Sequence, residues 1–183
     1  MPKVLVPIAQ GSEELEAVTI IDILRRAQVE VTVAGLEEAP VRMSRGVVIV
    51  PDMPLAQALA LDFDMIVLPG GLPGAEHLGN DPRVTDLVRQ MAANGKYTCA
   101  ICAAPRVLAL AGVLEGRKVT AYPGFIDNGE FPGVAYTGGA VQQDGKVITS
   151  RGPGTALDFA LHLVEVLCGD ERRRSVEDAL VRG

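Results

Sequence analysis

The residues best suited to chemistry lie in Tyr97-Thr-Cys-Ala-Ile-Cys102-Ala-Ala-Pro105-Arg-Val-Leu-Ala-Leu-Ala111. The segment reads as a short apolar strand, a sharp turn at Cys102 and a helix opened by Pro105. Proline suits a first helical turn because its missing N–H has no partner there anyway. Ala103 and Ala104 leave room for the backbone to turn tightly. A cysteine in this position meets unpaired N–H groups and partial positive charge at the helix start. Those conditions favour the thiolate, which is the nucleophilic form. The same strand–nucleophile–helix turn carries serine in the hydrolase elbow. Cys102 is therefore a candidate nucleophile; the alternative is a small core residue, a common fate of free cysteine.

A second group is the acidic start of the first helix, Glu13-Glu14-Leu-Glu16. Acids near a helix N-terminus complement its dipole, which suffices to explain Glu14. With side chains placed about 100° apart, Ile20, Ile23, Leu24 and Ala27 share one arc, and Glu16 falls inside it. Glu13 falls there too but sits at the very end, and Glu14 lies opposite. A carboxylate on a buried face is costly unless paired or protonated. Burial raises its pKa, so Glu16 is expected to hold a proton near neutrality. Such an acid can hydrogen-bond a thiolate or move protons for a reaction at Cys102.

Gly70, Gly71 and Gly74 match neither a dinucleotide fingerprint nor a P-loop. They offer free backbone N–H groups to an oxyanion, or a tight strand-to-helix turn. Arg151-Gly-Pro153-Gly154 opens a helix and reads either as an anion seat or as a turn. Cys99-Ala-Ile-Cys102 has redox-motif spacing, but along a strand the two Cα atoms lie roughly 10 Å apart, beyond the ~7 Å a disulfide tolerates. Cys99 is accordingly a core residue. His77 is read as a solvated loop residue and His162 as structural. No His/Cys/Asp spacing resembles a metal site.

The elements that must position these residues alternate. Strands are expected at Lys3–Ala9, Val29–Gly35, within Arg45–Pro51, at Met65–Leu68, before Cys102, and at Lys118–Ala121. Helices are expected from an N-cap at Ser12 to about Ala27, at Pro54–Ala60, at Pro82–Asn94, from Pro105 to Gly112, from Arg151 to about Cys168, and over Asp170–Val181. Asp144-Gly145 marks a hairpin, and Tyr122–Gly139 reads as a long loop. Alternation of this kind implies a mostly parallel sheet with helices on both faces, in one domain over residues 1–183. Sites in such sheets form at the carboxyl ends of the strands, where the turns Gln10–Ser12, Pro69–Gly74 and Ile101–Ala103 are candidates to converge.

Composition narrows the function. Of 183 residues 48 % are hydrophobic, Trp is absent and aromatics make up only 4 %, so the core must be aliphatic. A net charge of −6 argues against nucleic acid or an anionic membrane surface as the main partner. No stretch approaches the roughly 20 apolar residues of a membrane span. Three cysteines are too few for a disulfide framework, and with no export signal at the start of the sequence a reducing cytoplasm is the expected compartment.

The assembled pattern resembles the ThiJ/PfpI superfamily, and within it the YajL-like branch that includes the human Parkinson's-disease protein. The matching stretches are Gly11-Ser-Glu-Glu-Leu-Glu16-Ala-Val, Val33-Ala-Gly, Ser44-Arg-Gly-Val, Val67-Leu-Pro-Gly-Gly71, Ala100-Ile-Cys-Ala-Ala-Pro105, Lys118-Val-Thr and Thr149-Ser-Arg-Gly-Pro-Gly-Thr155, in the family's order along nearly the whole chain. The resemblance implies a flavodoxin-like sandwich and a homodimer. It implies that Cys102 is a nucleophile and redox-sensitive thiol, that Glu16 is its protonated partner, and that the amides of Gly71 and Ala103 surround an oxyanion or an oxidised sulfur. Gly70, Tyr122 and Pro153 fall at pocket positions, and Arg26 and Arg45 match arginines at its dimer-side rim. Tyr122 stands where many relatives carry a pocket histidine; it donates a hydrogen bond but is a weak base near neutrality. Ala103 stands where protease-like members carry histidine, and the downstream His-x-Glu of glutamine amidotransferases is missing, so peptidase and amidotransferase chemistry are disfavoured. The resemblance implies instead cofactor-independent glyoxalase or deglycase chemistry on small reactive aldehydes. The alternative is a redox-responsive stress protein, chaperone or binding protein with little turnover, in the first two of which Cys102 is oxidised to sulfinate.

Overall fold

The computed structural model describes residues 1–182. In chain order the elements are β1 (Lys3–Ile8), α1 (Glu14–Arg26), β2 (Glu30–Gly35), β3 (Val41–Arg42), β4 (Val48–Ile49), β5 (Met53–Pro54), α2 (Leu55–Ala58), β6 (Met65–Leu68), α3 (Gly74–Asn80), α4 (Pro82–Ala93), β7 (Tyr97–Ile101), α5 (Pro105–Leu110), β8 (Lys118–Val119), β9 (Ala135–Tyr136), β10 (Val141–Asp144), β11 (Val147–Ser150), α6 (Ala156–Cys168) and α7 (Asp170–Ala179). A single 3-10 turn, Pro153–Thr155, leads into α6.

Seven strands form the central sheet in the order β10-β11-β7-β6-β1-β2-β5. All neighbours pair in parallel except the β10–β11 hairpin at one edge. The sheet is buried on both faces, which is why β1, β6 and β7 are near-continuous apolar runs. Side chains alternate across it. Val4, Val6 and Ile8 of β1 face α1 and α6 through Ile20, Leu24, Phe159 and Leu163. Leu5, with Ile66 and Leu68 of β6, faces the other layer through Leu55, Leu78, Val88 and Leu108. This is the mostly parallel sheet with helices on both faces that the alternation of elements implied, in the flavodoxin-like arrangement that the resemblance implied. Among the described residues no helix is long and apolar enough to cross a membrane.

Four local expectations are corrected. Glu13, not Ser12, caps α1, its carboxylate accepting the Glu16 N–H at 2.7 Å. Ser12 is fully buried, and its hydroxyl instead accepts the Ala9 N–H at 3.0 Å. The apolar run after Gly46 does not join the central sheet. Gly46 turns at φ +95°, the Met43 N–H reaches back to the Val47 carbonyl, and β4 pairs with β3 in a separate hairpin. His77 lies on α3 rather than in a loop. The stretch Tyr122–Gly139 contains β9, which pairs in parallel with β8 outside the main sheet.

Candidate active site

The tip of β7 carries the sharp turn. Cys102 adopts φ +65°, a left-handed conformation that costs a non-glycine residue of order 1 kcal/mol or more. Its surroundings enforce it: the Cys102 N–H donates to the Ser150 carbonyl at 3.0 Å, and the Cys102 carbonyl accepts the Tyr122 N–H at 2.8 Å. The side chain is only 8 % exposed.

Against it lies the first turn of α1. Glu16 is fully buried, and its Oε2 accepts the Gly70 N–H at 2.8 Å. Its Oε1 is buried with no hydrogen-bond partner among the described residues, and the carboxyl as a whole lies beside the Cys102 thiol, each group shifting the other's hold on its proton. Burial raises the Glu16 pKa to about 7, against the opposing pull of the Gly70 N–H and of Cys102. Burial also pushes the Cys102 thiol up, to about 12, reinforced by the charge and hydrogen bonding of Glu16. This is opposite in direction to the thiolate expected from the helix start. The helix, α5, is only six residues long, so its dipole is weak against burial beside an acid. The N–H groups of Gly71 and Ala103, both directed at the sulfur, pull the other way. Cys102 and Glu16 thus compete for protons, and a thiolate forms most readily while the acid keeps its own.

Gly70 makes this proximity possible. A Cβ there would stand 2.6 Å from Cys102 Cβ and 2.9 Å from Glu16 Oε2. Its peptide is held at both ends by α1, since the Gly70 carbonyl also accepts the Glu13 N–H at 2.9 Å. Gly71 turns at φ +88° and packs so closely that a Cβ would meet the Glu13 nitrogen at 2.5 Å.

The structure therefore brings together Cys102, Glu16, Gly70, Gly71 and Ala103, drawn from three turns at the carboxyl ends of β1, β6 and β7. Tyr122 is 48 % exposed, with its ring edge-on to Phe125, and it shares a pocket of about 340 Å³ with Arg151 and Pro153. Arg26 is not at the pocket of its own chain. It ends α1 ten residues beyond Glu16, about 15 Å along the axis, and pairs with Asp22 at 2.7 Å. Arg45 contributes its backbone N–H to Glu14 at 2.7 Å while its side chain is exposed. Cys99, Cys102 and Cys168 are all free, and burial pushes the Cys99 thiol well above its ordinary range. His77 is exposed, with Nδ1 3.0 Å from the Gln10 carbonyl, and His162 Nε2 bonds the Gln143 side chain. No cluster of three or more His, Cys, Asp or Glu able to hold a metal occurs among the described residues.

One participant escaped the sequence reading. Glu14 is not a solvated dipole acid; it is 8 % exposed and accepts hydrogen bonds from Ser44 Oγ at 2.8 Å and from the Arg45 N–H. It pins the β3–β4 hairpin to the turn that carries Glu16. The only sequence signal was the small polar turn Ser44-Arg45-Gly46, too common to name a partner.

A cysteine set in a left-handed elbow at the tip of a parallel strand, with a buried acid against its sulfur, defines a cysteine-centred α/β protein of the nucleophile-elbow class. Residues 2–166 match the DJ-1/PfpI family. The chain is 44 % identical over 182 residues to protein dj-1beta of Drosophila melanogaster, covering 97 % of this chain and 95 % of that one. The crystal structure of that fly protein superposes with a TM-score of 0.95 over 100 % of this chain and 98 % of its own. A solved Toxoplasma gondii DJ-1, described as oxidized, superposes at 0.93 with 43 % identity, over 99 % of this chain and 98 % of its own. A Caenorhabditis elegans relative, 37 % identical over 91 % of this chain and 89 % of its own, is named glutathione-independent glyoxalase DJR-1.2. The chain belongs to the DJ-1/PfpI family.

Proposed function

We propose that this protein is a cofactor-independent glyoxalase whose nucleophile is Cys102 and whose proton carrier is Glu16, acting on small α-oxoaldehydes such as methylglyoxal. The observation that carries the reading is the fully buried Glu16 carboxyl beside Cys102, one oxygen fixed by the Gly70 N–H and the other left without a hydrogen-bond partner among the described residues. The Cys102 sulfur adds to the aldehyde carbon, and the new oxyanion takes a proton to give a hemithioacetal. Gly71 and Ala103 offer N–H groups to that developing charge. Glu16, ionised, removes the hydrogen from the same carbon, giving an enediol, and returns a proton to the neighbouring carbon. The product is a 2-hydroxyacyl thioester on Cys102. Water cleaves it to the hydroxy acid and restores the thiol, so the net change is addition of one water with no external oxidant. The name of the nematode relative is in keeping with this chemistry. The test is lactate formation from methylglyoxal by wild type, Cys102→Ser and Glu16→Gln; turnover retained by Cys102→Ser overturns the reading.

A second reading rests on the two N–H groups aimed at the sulfur, which suit a sulfinate as well as an oxyanion. Two equivalents of peroxide convert the thiol to sulfinate and release two waters. Mass spectrometry after mild peroxide should find two added oxygens on Cys102 before Cys99 or Cys168, and oxidation of Cys168 first counts against it.

The proposal includes a homodimer in a reducing cytoplasm. Free cysteines throughout suit that compartment. Leu15 and Val18 of α1 and Val47, Val48 and Val50 of the hairpin are 47–75 % exposed, and the Glu14 bonds make the two elements neighbours. Sedimentation of Val50→Lys beside wild type tests the association.

A further inference from the structure

Beside the catalytic turn, lined by Ala103 but not by Cys102 or Glu16, lies a groove larger than methylglyoxal requires. It has a volume of about 360 Å³ and lies between α3, α5 and the segment that follows Tyr122. Its floor is apolar and buried, formed by Ala75, Ala103 and Val107, and Leu72, Leu110 and Phe125 extend the apolar wall outward. Two of these residues tie it to the chemistry: Ala103 supplies an N–H to the Cys102 sulfur, and Leu72 directly follows Gly71, which supplies the other. A group attached to a carbonyl held by those two amides would reach this floor past Ala103.

The charge at the groove's edge separates the classes of substituent. Arg106 is the cation there, and it is committed to Glu130 through two hydrogen bonds, at 2.7 and 3.3 Å. The other charge at the edge is the Glu76 carboxylate. Neither arrangement favours a carboxylate or phosphate tail. The volume falls in the range of small-molecule sites, which hold apolar bodies and a few oriented polar groups.

We propose that this groove seats the substituent of an α-oxoaldehyde and that the substituent is uncharged, apolar and much larger than methyl, with an aryl ring as the best fit. The inference rests on the glyoxalase reading for its reacting end, but the groove can be tested apart from turnover. Gly79 provides the variant. A Cβ there would make ordinary 3.5 Å contacts with the Leu110 and Val107 side chains, so Gly79→Met grows into the groove from a helical position that tolerates it.

Two measurements decide it. In turnover, kcat/KM for phenylglyoxal should exceed that for methylglyoxal by about tenfold or more, the usual worth of a buried ring. Gly79→Met should remove this advantage through KM while leaving methylglyoxal unchanged. Equal kcat/KM values, or a Gly79→Met loss shared by both substrates, overturn the inference. In binding, acetophenone, which lacks the aldehyde, is titrated into Cys102→Ser and followed by methyl NMR. Shifts at Ala75, Val107 and Leu110, lost when Gly79→Met is added, support the groove even if neither aldehyde turns over, in which case the glyoxalase reading alone fails. Absence of those shifts overturns the groove even if methylglyoxal is consumed.

Discussion

Glu16 Oε2 lies 2.8 Å from the Gly70 nitrogen, so the acid of α1 is fixed by the same peptide that borders the nucleophile. This bond holds the carboxyl beside Cys102 with little freedom to turn away. Glu16→Gln preserves the shape and can still receive the Gly70 N–H, but it cannot ionise. Loss of a positioned proton carrier typically costs 10²–10⁴-fold in rate. Glu16→Gln should therefore form lactate from methylglyoxal ~10²–10⁴ times more slowly. Its Cys102 should alkylate faster than wild type above pH 7, because the negative charge that raises the thiol is gone. Slower alkylation would show that Glu16 aids thiolate formation rather than opposing it.

The same carboxyl makes stability depend on pH. Glu16 titrates near 4.5 in an unfolded chain and near 7 in the fold, because burial disfavours its charge. The folded state therefore holds this proton more tightly than the unfolded state does. The stability it confers is complete below about pH 4.5 and is lost as pH rises through about 7. At about 1.4 kcal/mol for each pH unit, the loss is ~3 kcal/mol. Chemical denaturation of wild type and Glu16→Gln at a series of pH values should show the gap between them change by that amount over this interval, with wild type losing ground as pH rises. A constant gap would mean that Glu16 is ionised in the fold throughout.

Gly70→Ala tests the close approach. Its Cβ has nowhere to go between Cys102 Cβ at 2.6 Å, Glu16 Oε2 at 2.9 Å and the Ile101 carbonyl at 2.9 Å. Overpacking of this kind costs about 1–3 kcal/mol. The shift must separate the acid from the sulfur, so turnover should fall by at least ~10²-fold while the protein remains folded. Activity near that of wild type would mean that the elbow relaxes without disturbing the pair.

Much of this site was legible before any coordinates. Strand–cysteine–proline–helix spacing located Cys102, and the helical arc located Glu16, because local geometry and burial follow directly from residue order. What was not legible depends on contacts across the fold. The direction of the Cys102 shift is set first by burial and then by an acid 86 positions away, which together outweigh the six-residue α5. Glu14 was misassigned because its partner, Ser44, comes from a hairpin that left the main sheet. Ser12 lost the cap to Glu13 because its hydroxyl was taken by the Ala9 N–H.

Glu14 gives a prediction of the opposite sign to that for Glu16. Burial acts to raise its pKa, but its hydrogen bonds, including those from Ser44 and the Arg45 N–H, together hold it below 4.5. Its contribution to stability is thus present above about pH 4.5 and disappears as pH falls through the lower folded value. Glu14→Gln should cost about 1–2 kcal/mol at neutral pH and progressively less in acid. Amides of residues 43–48 should exchange faster in the variant, since the hairpin loses its anchor. Unchanged exchange there would show that β3–β4 docks without Glu14.

Tyr122 is joined to the elbow by its backbone, not by its hydroxyl. Its N–H bonds the Cys102 carbonyl, its ring rests on Phe125, and its hydroxyl makes no hydrogen bond among the described residues. Tyr122→Phe should then leave kcat/KM for methylglyoxal within about twofold of wild type. Tyr122→His restores the residue type that the family resemblance associates with this position and introduces a group titrating near 6.5, suited to proton transfer at neutrality. Turnover should rise several-fold, and its pH profile should gain a limb near pH 6–7 that wild type and Tyr122→Phe lack. A large loss in Tyr122→Phe would show that the hydroxyl takes part in the reaction, whereas no gain in Tyr122→His would leave Glu16 as the sole carrier.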